Sequence, residues 1–299
     1  MLDPWQLYTL DPDLAASLGG SRPALLHLLD GYIDAGSVTH QSAAYLLSVC
    51  EHEVLAEFDH DQLHDYRSRR PQMVFDTNSW VSLTDYSLVL HRLLDETGKP
   101  FLLFTGPEPD TQWNRTCAAL LGLAGQLEVS RLMTVSGVPM AVPHSRPTLV
   151  TTHATDSSVV SGNPMWIDRV QLPGSFSHVL EYRAGEAGLL AQGFVAHVPH
   201  YLAQASFPQA VRAVLERLTA AAELTIDFQP LAEQVAANLA TIAAETVDDA
   251  EFPAVVAALE EQYDRLAANG AASLPTAEEI GAAVEQFLAE QDPPPDFRR

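Results

Sequence analysis

The chain has 299 residues, of which 47% are hydrophobic and 18% are charged. This length and composition predict a folded protein with a sizeable core, built as one large domain or as a domain with an appendage. Sixteen lysines and arginines against 39 aspartates and glutamates give a net charge of −23. So negative a surface repels DNA, RNA and anionic lipid, and we therefore expect no nucleic-acid partner.

The N-terminal segment, MLDPWQLYTLDPDLAASLGG, has neither the basic n-region nor the apolar h-region of a signal peptide. No window reaches the ~18 apolar residues that a membrane-spanning helix needs. The two cysteines, Cys50 and Cys117, lack the spacing of a zinc or redox motif and are predicted to be buried thiols. We therefore expect a cytoplasmic protein with no membrane association.

From Pro23 onward, short apolar runs alternate with longer amphipathic ones. The apolar runs predict strands at 24–31, 53–58, 72–76, 80–96, 100–105, 130–139, 148–155, 169–174 and 193–199. The amphipathic runs predict helices at 37–52 with Ser37 as N-cap, at 113–127, and from a cap at Ser175 or Ser177 to about Gly188. This alternation predicts an α/β protein with a largely parallel sheet covered on both faces. Turn residues at 77–79 indicate a hairpin, which favours a mixed sheet.

After about residue 207 only helical patterns follow, at 207–224, 228–246, 252–270 and 276–291. Residues 228–299 hold 14 acidic and 3 basic side chains and so carry −11 of the net charge. The predicted organisation has four parts: an N-terminal extension (1–22), an α/β/α core domain (23–222), an acidic helical appendage (223–290) with a flexible joint at 268–275, and a disordered tail (291–299).

Ligands of open α/β sheets bind beyond the carboxyl ends of the strands. The residues that follow the predicted strands form a candidate pocket rim, which comprises Asp30, Gly31, Gly106, Glu108, Asp110, His144, His153, His197, His200 and Tyr201. Imidazoles and carboxylates in such a rim could act as general acids or bases, or could simply tie neighbouring loops together.

No complete catalytic or cofactor motif accompanies this rim. His197 and His200 are three residues apart, but Pro199 between them prevents the helical stacking of a His-x-x-His metal clip. Ser136 lies in TVSGVP, which lacks the first glycine of a nucleophile elbow. The chain has no G-x-x-x-x-G-K-[ST] and no G-x-G-x-x-G phosphate loop. We therefore expect no bound metal and no cofactor.

Arginines form one basic cluster in this acidic chain: Arg67, Arg69 and Arg70, to which Arg146 is added as a further candidate. Guanidinium groups bind carboxylate or phosphate through two parallel hydrogen bonds. The cluster is therefore a candidate anion site, or an interface cluster that pairs with acidic groups of the fold or of a neighbouring subunit.

Eight segments, in order along the chain, together resemble the proteasome assembly chaperone family, specifically its actinobacterial branch of cytoplasmic proteins. They are LLDGYIDAG, DYRSRRPQMVFD, PFLLFTGPEPDTQW, VSGVPMAVPHSRP, THAT, VQLPGS, EAGLLAQGFVAHVPHYLA and LEEQYD. The resemblance implies a three-layer α/β/α sandwich with a mostly parallel mixed sheet, similar to the nucleoside phosphorylase/hydrolase-like fold, plus a C-terminal helical appendage. It also implies a homo-oligomer, with a trimer favoured.

Family members in eukaryotes and archaea help to assemble the proteasome α-ring, and those that dock on the proteasome often end in a hydrophobic residue, a tyrosine and any residue. Here the last three residues are Phe297, Arg298 and Arg299, so we do not expect docking by that route. The sequence thus favours a non-enzymatic, oligomeric binding or assembly protein, which predicts exposed apolar residues on the helices beyond residue 228. The alternative is an enzyme acting on a nucleoside-like molecule in the strand-end pocket. That alternative predicts that at least three of five side chains converge on one cavity, namely Asp30, His144, His153, His197 and His200.

Overall fold

The computed structural model describes residues 2–84, 86–160, 163, 169 and 171–268. Its strands are β1 Tyr8–Leu10, β2 Ala24–Asp30, β3 Glu51–Phe58, β4 Gln72–Asp76, β5 Ser79–Thr84, β6 Leu88–Leu94, β7 Pro100–Pro107, β8 Arg131–Met140, β9 Val150–Ala154 and β10 Ala191–Pro199. Its α-helices are α1 Pro12–Ser17, α2 Val38–Val49, α3 Trp113–Gln126, α4 Phe176–Glu186, α5 Pro208–Ala222, α6 Gln229–Glu245 and α7 Phe252–Ala268.

Eight strands form one mixed sheet in the order β1-β3-β6-β7-β2-β8-β10-β9. The four strands β7, β2, β8 and β10 are parallel neighbours, and antiparallel strands flank them on both sides. Five of the eight strands run in the same direction, because β3 is antiparallel to β6 and β6 is antiparallel to β7. The prediction of a mixed, mostly parallel sheet is confirmed.

Helices cover both faces of this sheet, so the fold is the predicted three-layer α/β/α sandwich. Successive residues of a strand point to opposite faces of the sheet, and in β2 the side chains on both faces are mostly apolar. Leu26 packs with the buried residues of α2 and α5 on one face. Leu25 packs with those of α3 and α4 on the other face. A strand buried on both sides needs a continuous apolar run, which explains why β2 was readable from its sequence.

The predicted hairpin exists, but its second strand was assigned too long. Strands β4 and β5 pair with each other in a separate two-stranded sheet, and every residue of both strands is exposed. Residues 88–94, which the prediction joined to the hairpin, instead form β6 inside the main sheet, where Leu88, Leu90 and Leu93 are fully buried. The mixed character of the main sheet therefore comes from β1, β3, β6 and β9, because the hairpin lies outside it.

The strand predicted at 169–174 is wrong. The described residues of this run, 169 and 171–174, have irregular backbone. Pro173 lacks a backbone N–H for a strand ladder, and the run leads directly into the cap of α4. That cap is Ser175, as predicted: its Oγ accepts the His178 N–H at 3.2 Å, and its own N–H donates to His178 Nδ1 at 3.5 Å.

The helix predicted from residue 37 begins at Val38, but Ser37 does not cap it. Ser37 has φ +51° and its side chain makes no capping hydrogen bond. Asp34 does so instead: Oδ1 accepts the Thr39 N–H at 2.7 Å, and Oδ2 accepts the His40 N–H at 3.2 Å.

The two ends of the described chain both contact the central domain. Strand β1 pairs with β3 and forms one edge of the main sheet. Leu231 of α6 is buried in the same apolar cluster as α5. The predicted helix at 276–291, most of the joint at 268–275 and the tail at 291–299 lie outside the described residues. No helix in the described ranges is both long enough and apolar enough to cross a bilayer.

Candidate functional site

A cavity of about 390 Å³ lies beyond the carboxyl ends of the parallel strands, between β2, β8 and β10 and the first turn of α4. Most of its surface is apolar, and its aliphatic side chains come from Leu29, Ile33, Val135, Val138, Met140, Leu172 and Val195. Its polar wall comprises Thr39, Glu108, Thr134, Ser136, Thr151, His153, Asn163, Ser175, Ser177, His178 and His197, and Gly31 completes the lining. An apolar chamber with a few polar groups at strand ends is typical of a small-molecule site.

Glu108 is the one carboxylate among the described residues that line the cavity, and it is only 7% exposed. It follows β7 directly, and its backbone N–H donates to the carbonyl of Asp30 at 2.9 Å. Its Oε1 accepts the backbone N–H of Phe176, the first residue of α4. The N-terminus of a helix is a favourable place for a carboxylate, and the hydrogen bond from α4 holds Glu108 in position.

His197 contributes a neutral imidazole to the opposite wall. It lies on β10 and is 3% exposed, and its Nε2 lies 2.8 Å from Oγ1 of Thr151 on β9. Burial lowers the pKa of His197 to about 4. At neutral pH this ring is therefore a hydrogen-bonding group without charge.

A second set of imidazoles lies where β9 meets α4. His153 Nδ1 is 2.8 Å from Oε1 of Glu181, and the rings of His153 and His178 are 6.4 Å apart. The pKa of His178 is lowered, mainly by burial and then by the neighbouring His153. These groups surround the cavity with donors and acceptors, while Glu108 supplies its charge.

Ser177 is a serine of this wall that lies beside a histidine, as an activated nucleophile would. Its Oγ lies 3.3 Å from Nδ1 of His27, which is fully buried in β2. Burial lowers the pKa of His27 to about 4, an effect that Glu181 partly opposes. An imidazole with so low a pKa is a weak base, so the pair does not have the character of a nucleophile and its general base.

Four of the ten predicted rim residues line this cavity: Gly31, Glu108, His153 and His197.

The other six predicted rim residues lie outside the cavity. Asp30 is half-exposed, with Oδ1 3.1 Å from His40 Nδ1. Gly106 is where β7 passes close to the chain before β6: a Cβ there would lie 2.2 Å from the carbonyl oxygen of Ser87. Asp110 accepts the Asp65 N–H at 2.8 Å and pairs with Arg69 at 3.3 Å.

His144, His200 and Tyr201 belong to a different cluster, built around Phe252 of α7. The Tyr201 hydroxyl accepts the His144 N–H at 3.0 Å and lies 2.8 Å from His144 Nδ1. The ring of Phe252 stacks on His144 at 6.0 Å and meets Tyr201 edge-on at 5.3 Å. His200 is exposed next to Tyr201, with ring centroids 5.3 Å apart. These side chains attach α7 to the core.

The four candidate arginines also divide. Arg146 pairs with Glu260 at 2.9 Å and with Asp264 at 2.7 Å, both on α7. Arg69 pairs with Asp110, while Arg67 and Arg70 lie exposed near the base of the β4–β5 hairpin. The arginines therefore do not gather into one anion site.

The geometry does not meet the condition set for the enzyme alternative. Of the five side chains that were to converge, two, His153 and His197, reach the cavity. Among the described residues there is also no group of three or more His, Cys, Asp or Glu side chains placed to hold a metal ion. The described part of the wall does supply polar groups suited to binding.

The sequence interpretation missed the contribution of α4. It considered only residues that follow strands, whereas Ser175, Ser177 and His178 come from the start of a helix. A signal was available, because a capped helix start that carries two serines and a histidine supplies free N–H groups as well as polar side chains.

The fold and the cavity define the chain as a three-layer α/β/α protein with a binding chamber at its parallel strand ends. It belongs to the PAC2 family, whose model matches residues 28–246. This confirms the family predicted from the sequence motifs.

Solved structures have a similar fold. Rv2714 from Mycobacterium tuberculosis, a protein of unknown function, is 40% identical, with 95% of this chain and 96% of that chain covered and a TM-score of 0.82. A protein of unknown function from Corynebacterium glutamicum ATCC 13032 is 33% identical, with coverages of 87% and 97% and a TM-score of 0.81. The Mycobacterium tuberculosis proteasome-assembly chaperone homologue Rv2125 shares the fold at 22% identity, with coverages of 79% and 99% and a TM-score of 0.71. The search of curated proteins found no match.

Proposed function

We propose that this protein is a non-enzymatic, chaperone-like assembly protein that acts as a homo-oligomer, with a trimer as the favoured state. Membership of the PAC2 family supports this proposal, as does the similarity in fold to a proteasome-assembly chaperone homologue. The observation that carries it is the β4–β5 hairpin, which offers a protein-binding surface that the chain's own core does not cover.

The hairpin exposes large apolar side chains on both of its faces. Trp80 is 63% exposed, and Met73, Val74, Phe75, Val81 and Leu83 are between 46% and 57% exposed. Phe75 and Trp80 are cross-strand neighbours with ring centroids 5.1 Å apart. A two-stranded hairpin is marginally stable by itself in water, and contiguous exposed apolar patches mark interaction surfaces. The hairpin therefore needs a covering partner.

The charge of the segment supports a second copy of the same chain as that partner. Residues 72–84 contain one charged side chain, Asp76, in a protein of net charge −23. Two copies that meet through this segment bring few like charges into direct contact. Arg67 and Arg70, which are exposed near the base of the hairpin, would then face the acidic surface of the second copy. This agrees with the interface alternative for the arginine cluster.

The helical appendage supports the proposal less strongly. Val247 and Val255 are its exposed large aliphatic residues within the described range, at 75% and 44% exposure. Phe252 and Tyr263 of α7 contact the core instead, the Tyr263 hydroxyl donating to the carbonyl of Pro147 at 2.9 Å. The hairpin is thus the stronger protein-binding surface.

Native mass spectrometry of the full chain tests the proposal. We expect the mass of a trimer for the wild-type protein and of a monomer for Phe75→Thr/Trp80→Thr, since threonine retains strand propensity while the apolar rings are lost. The matched control is Val247→Thr/Val255→Thr, which removes exposed apolar side chains outside the hairpin and should leave the oligomer intact. A monomeric wild-type protein, or an unchanged mass for the hairpin variant, would contradict the proposal.

A further inference from the structure

We propose that the strand-end cavity binds a small organic cation with an apolar body, such as an arylalkyl ammonium, through the carboxylate of Glu108. This inference goes beyond the assembly function and is independent of the hairpin, because the cavity lies within a single copy of the chain.

The size and lining of the cavity fit the apolar part of such a ligand. A volume of about 390 Å³ is within the range of ~300–1,000 Å³ that small-molecule pockets occupy. Ile33, Val138, Met140 and Val195 form an aliphatic wall suited to a ring system. Leu172, another lining residue, is 58% exposed and so extends this wall to the protein surface.

The charge of the cavity selects a cation. Glu108 is a buried carboxylate, and its Oε1 accepts one backbone N–H, that of Phe176. Within the described residues no ion pair to Glu108 is present, and no lysine or arginine lines the cavity. A buried carboxylate is costly unless it is paired, so an ammonium group beside Glu108 would supply the missing counter-charge.

Two of the three imidazoles in the wall leave this role to a ligand, and the third, His153, already lies 2.8 Å from Oε1 of Glu181. Burial lowers the pKa of His197 to about 4 and also lowers the pKa of His178. Neither ring is therefore a cation that competes for Glu108 at neutral pH, and both can accept hydrogen bonds. The net charge of −23 adds a long-range attraction for cations and a repulsion for phosphates and carboxylates.

Gly31 keeps the approach to the second carboxylate oxygen open. It lines the cavity, and a Cβ at this position would lie 3.3 Å from Oε2 of Glu108. An alanine would therefore occupy the space in which a ligand donor reaches Oε2, without changing any charge.

Isothermal titration calorimetry of the full-length protein with three indole probes tests the proposal. Tryptamine carries an ammonium group, tryptophol carries a neutral hydroxyl in its place, and indole-3-acetate carries a carboxylate. We expect tryptamine to bind about tenfold or more tightly than tryptophol, and indole-3-acetate not to bind. Equal affinity for all three probes, tighter binding of the anion, or no binding of tryptamine at millimolar concentration would overturn the proposal.

Two test variants and one control variant show where in the protein the ammonium group binds. In Glu108→Gln the amide oxygen can still accept the Phe176 N–H, but we expect the preference for tryptamine over tryptophol to disappear. Glu57→Gln removes one exposed carboxylate on β3 and serves as the control of equal net charge, with the preference retained. Gly31→Ala should weaken tryptamine binding several-fold while Glu108 stays charged. If Glu108→Gln does not fold, Gly31→Ala and the three-probe comparison still decide, since unchanged tryptamine binding in Gly31→Ala contradicts the assigned position.

Discussion

Arg146 binds Asp264 through two hydrogen bonds, from Nε to Oδ1 at 2.9 Å and from Nη2 to Oδ2 at 2.7 Å. Its Nη1 also donates to Oε1 of Glu260 at 2.9 Å. The hydrogen bonds raise the pKa of the Arg146 guanidinium and lower the pKa of the Asp264 carboxyl. Arg146, in the loop before β9, is therefore one of the side chains that join the core to α7, over more than a hundred residues of sequence.

Arg146→Ala is expected to loosen α7 from the core. The variant loses three charge-assisted hydrogen bonds, while Phe252 keeps its contacts with His144 and Tyr201. Hydrogen–deuterium exchange should show faster exchange of the α7 amides and no change in β2. Arg212→Ala is the control, because Arg212 pairs with Glu216 within α5 alone. If the α7 amides exchange equally fast in Arg146→Ala and in the wild-type protein, the aromatic contacts alone are sufficient to hold α7 on the core.

Buried histidines are expected to make the fold sensitive to mild acid. His27, His91 and His197 each have a pKa lowered to about 4, chiefly by burial. With the folded pKa below the ordinary value of ~6.5, the unfolded chain takes up protons first. The free energy of unfolding is therefore greatest above about pH 6.5 and falls as the pH drops toward 4.

His27→Gln measures one part of this effect. A fully buried histidine contributes a slope of about 1.4 kcal/mol per pH unit between roughly pH 6 and 4, and the variant should lose that slope. Urea denaturation of both proteins at a series of pH values gives the comparison. His200→Gln, at an exposed loop position, should keep the wild-type slope. If the free energy of unfolding of His27→Gln depends on pH as that of the wild-type protein does, His27 does not cause the pH dependence.

Gly137→Ala is expected to destabilise the protein. A Cβ at this position of β8 would lie 2.0 Å from the carbonyl oxygen of Ala35 and 2.9 Å from Cγ2 of Val38. The backbone must shift, so we expect a loss of about 1–3 kcal/mol, as for other overpacked positions. Gly125→Ala in α3 is the matched control, because no atom lies within 4 Å of its added Cβ. It should stabilise by about 0.5–1 kcal/mol through helix propensity. Chemical denaturation measures both changes, and equal stability of the two variants would contradict the steric argument.

The sequence predicted the central strands well because they obey the simplest rule. Strands β2 and β10 are buried on both faces and therefore read as nearly continuous apolar runs, interrupted by His27 in β2 and by Gln192 and His197 in β10. The hairpin and β6 were joined in error because both are rich in strand-forming residues, and the difference between them is tertiary. One is exposed throughout, and the other is buried in the sheet. Whether distant segments of the chain will bury a strand cannot be read from the local composition of that strand.

The site was predictable only as far as strand order determines it. Gly31 and Glu108 follow β2 and β7, and His197 lies near the carboxyl end of β10, so these parallel strands bring them to one edge of the sheet. His144 also follows a parallel strand, but it lies beyond the end of β8 and packs against α7. The approach of α4 to the cavity likewise depends on tertiary packing. Local patterns therefore identified the edge of the sheet but not all of the side chains around it.

The position of β2 has a consequence for how the chain folds during synthesis. It is the second strand to leave the ribosome, yet its neighbours in the sheet, β7 and β8, are made much later. Roughly a hundred residues are translated between β2 and β8. At 5–20 residues per second, β8 therefore follows β2 after about 5–20 s. The β6–β7 pair, joined by a short turn at residues 95–99, can form during this interval. An apolar strand that emerges early therefore stays exposed until both of its neighbours in the sheet have been made.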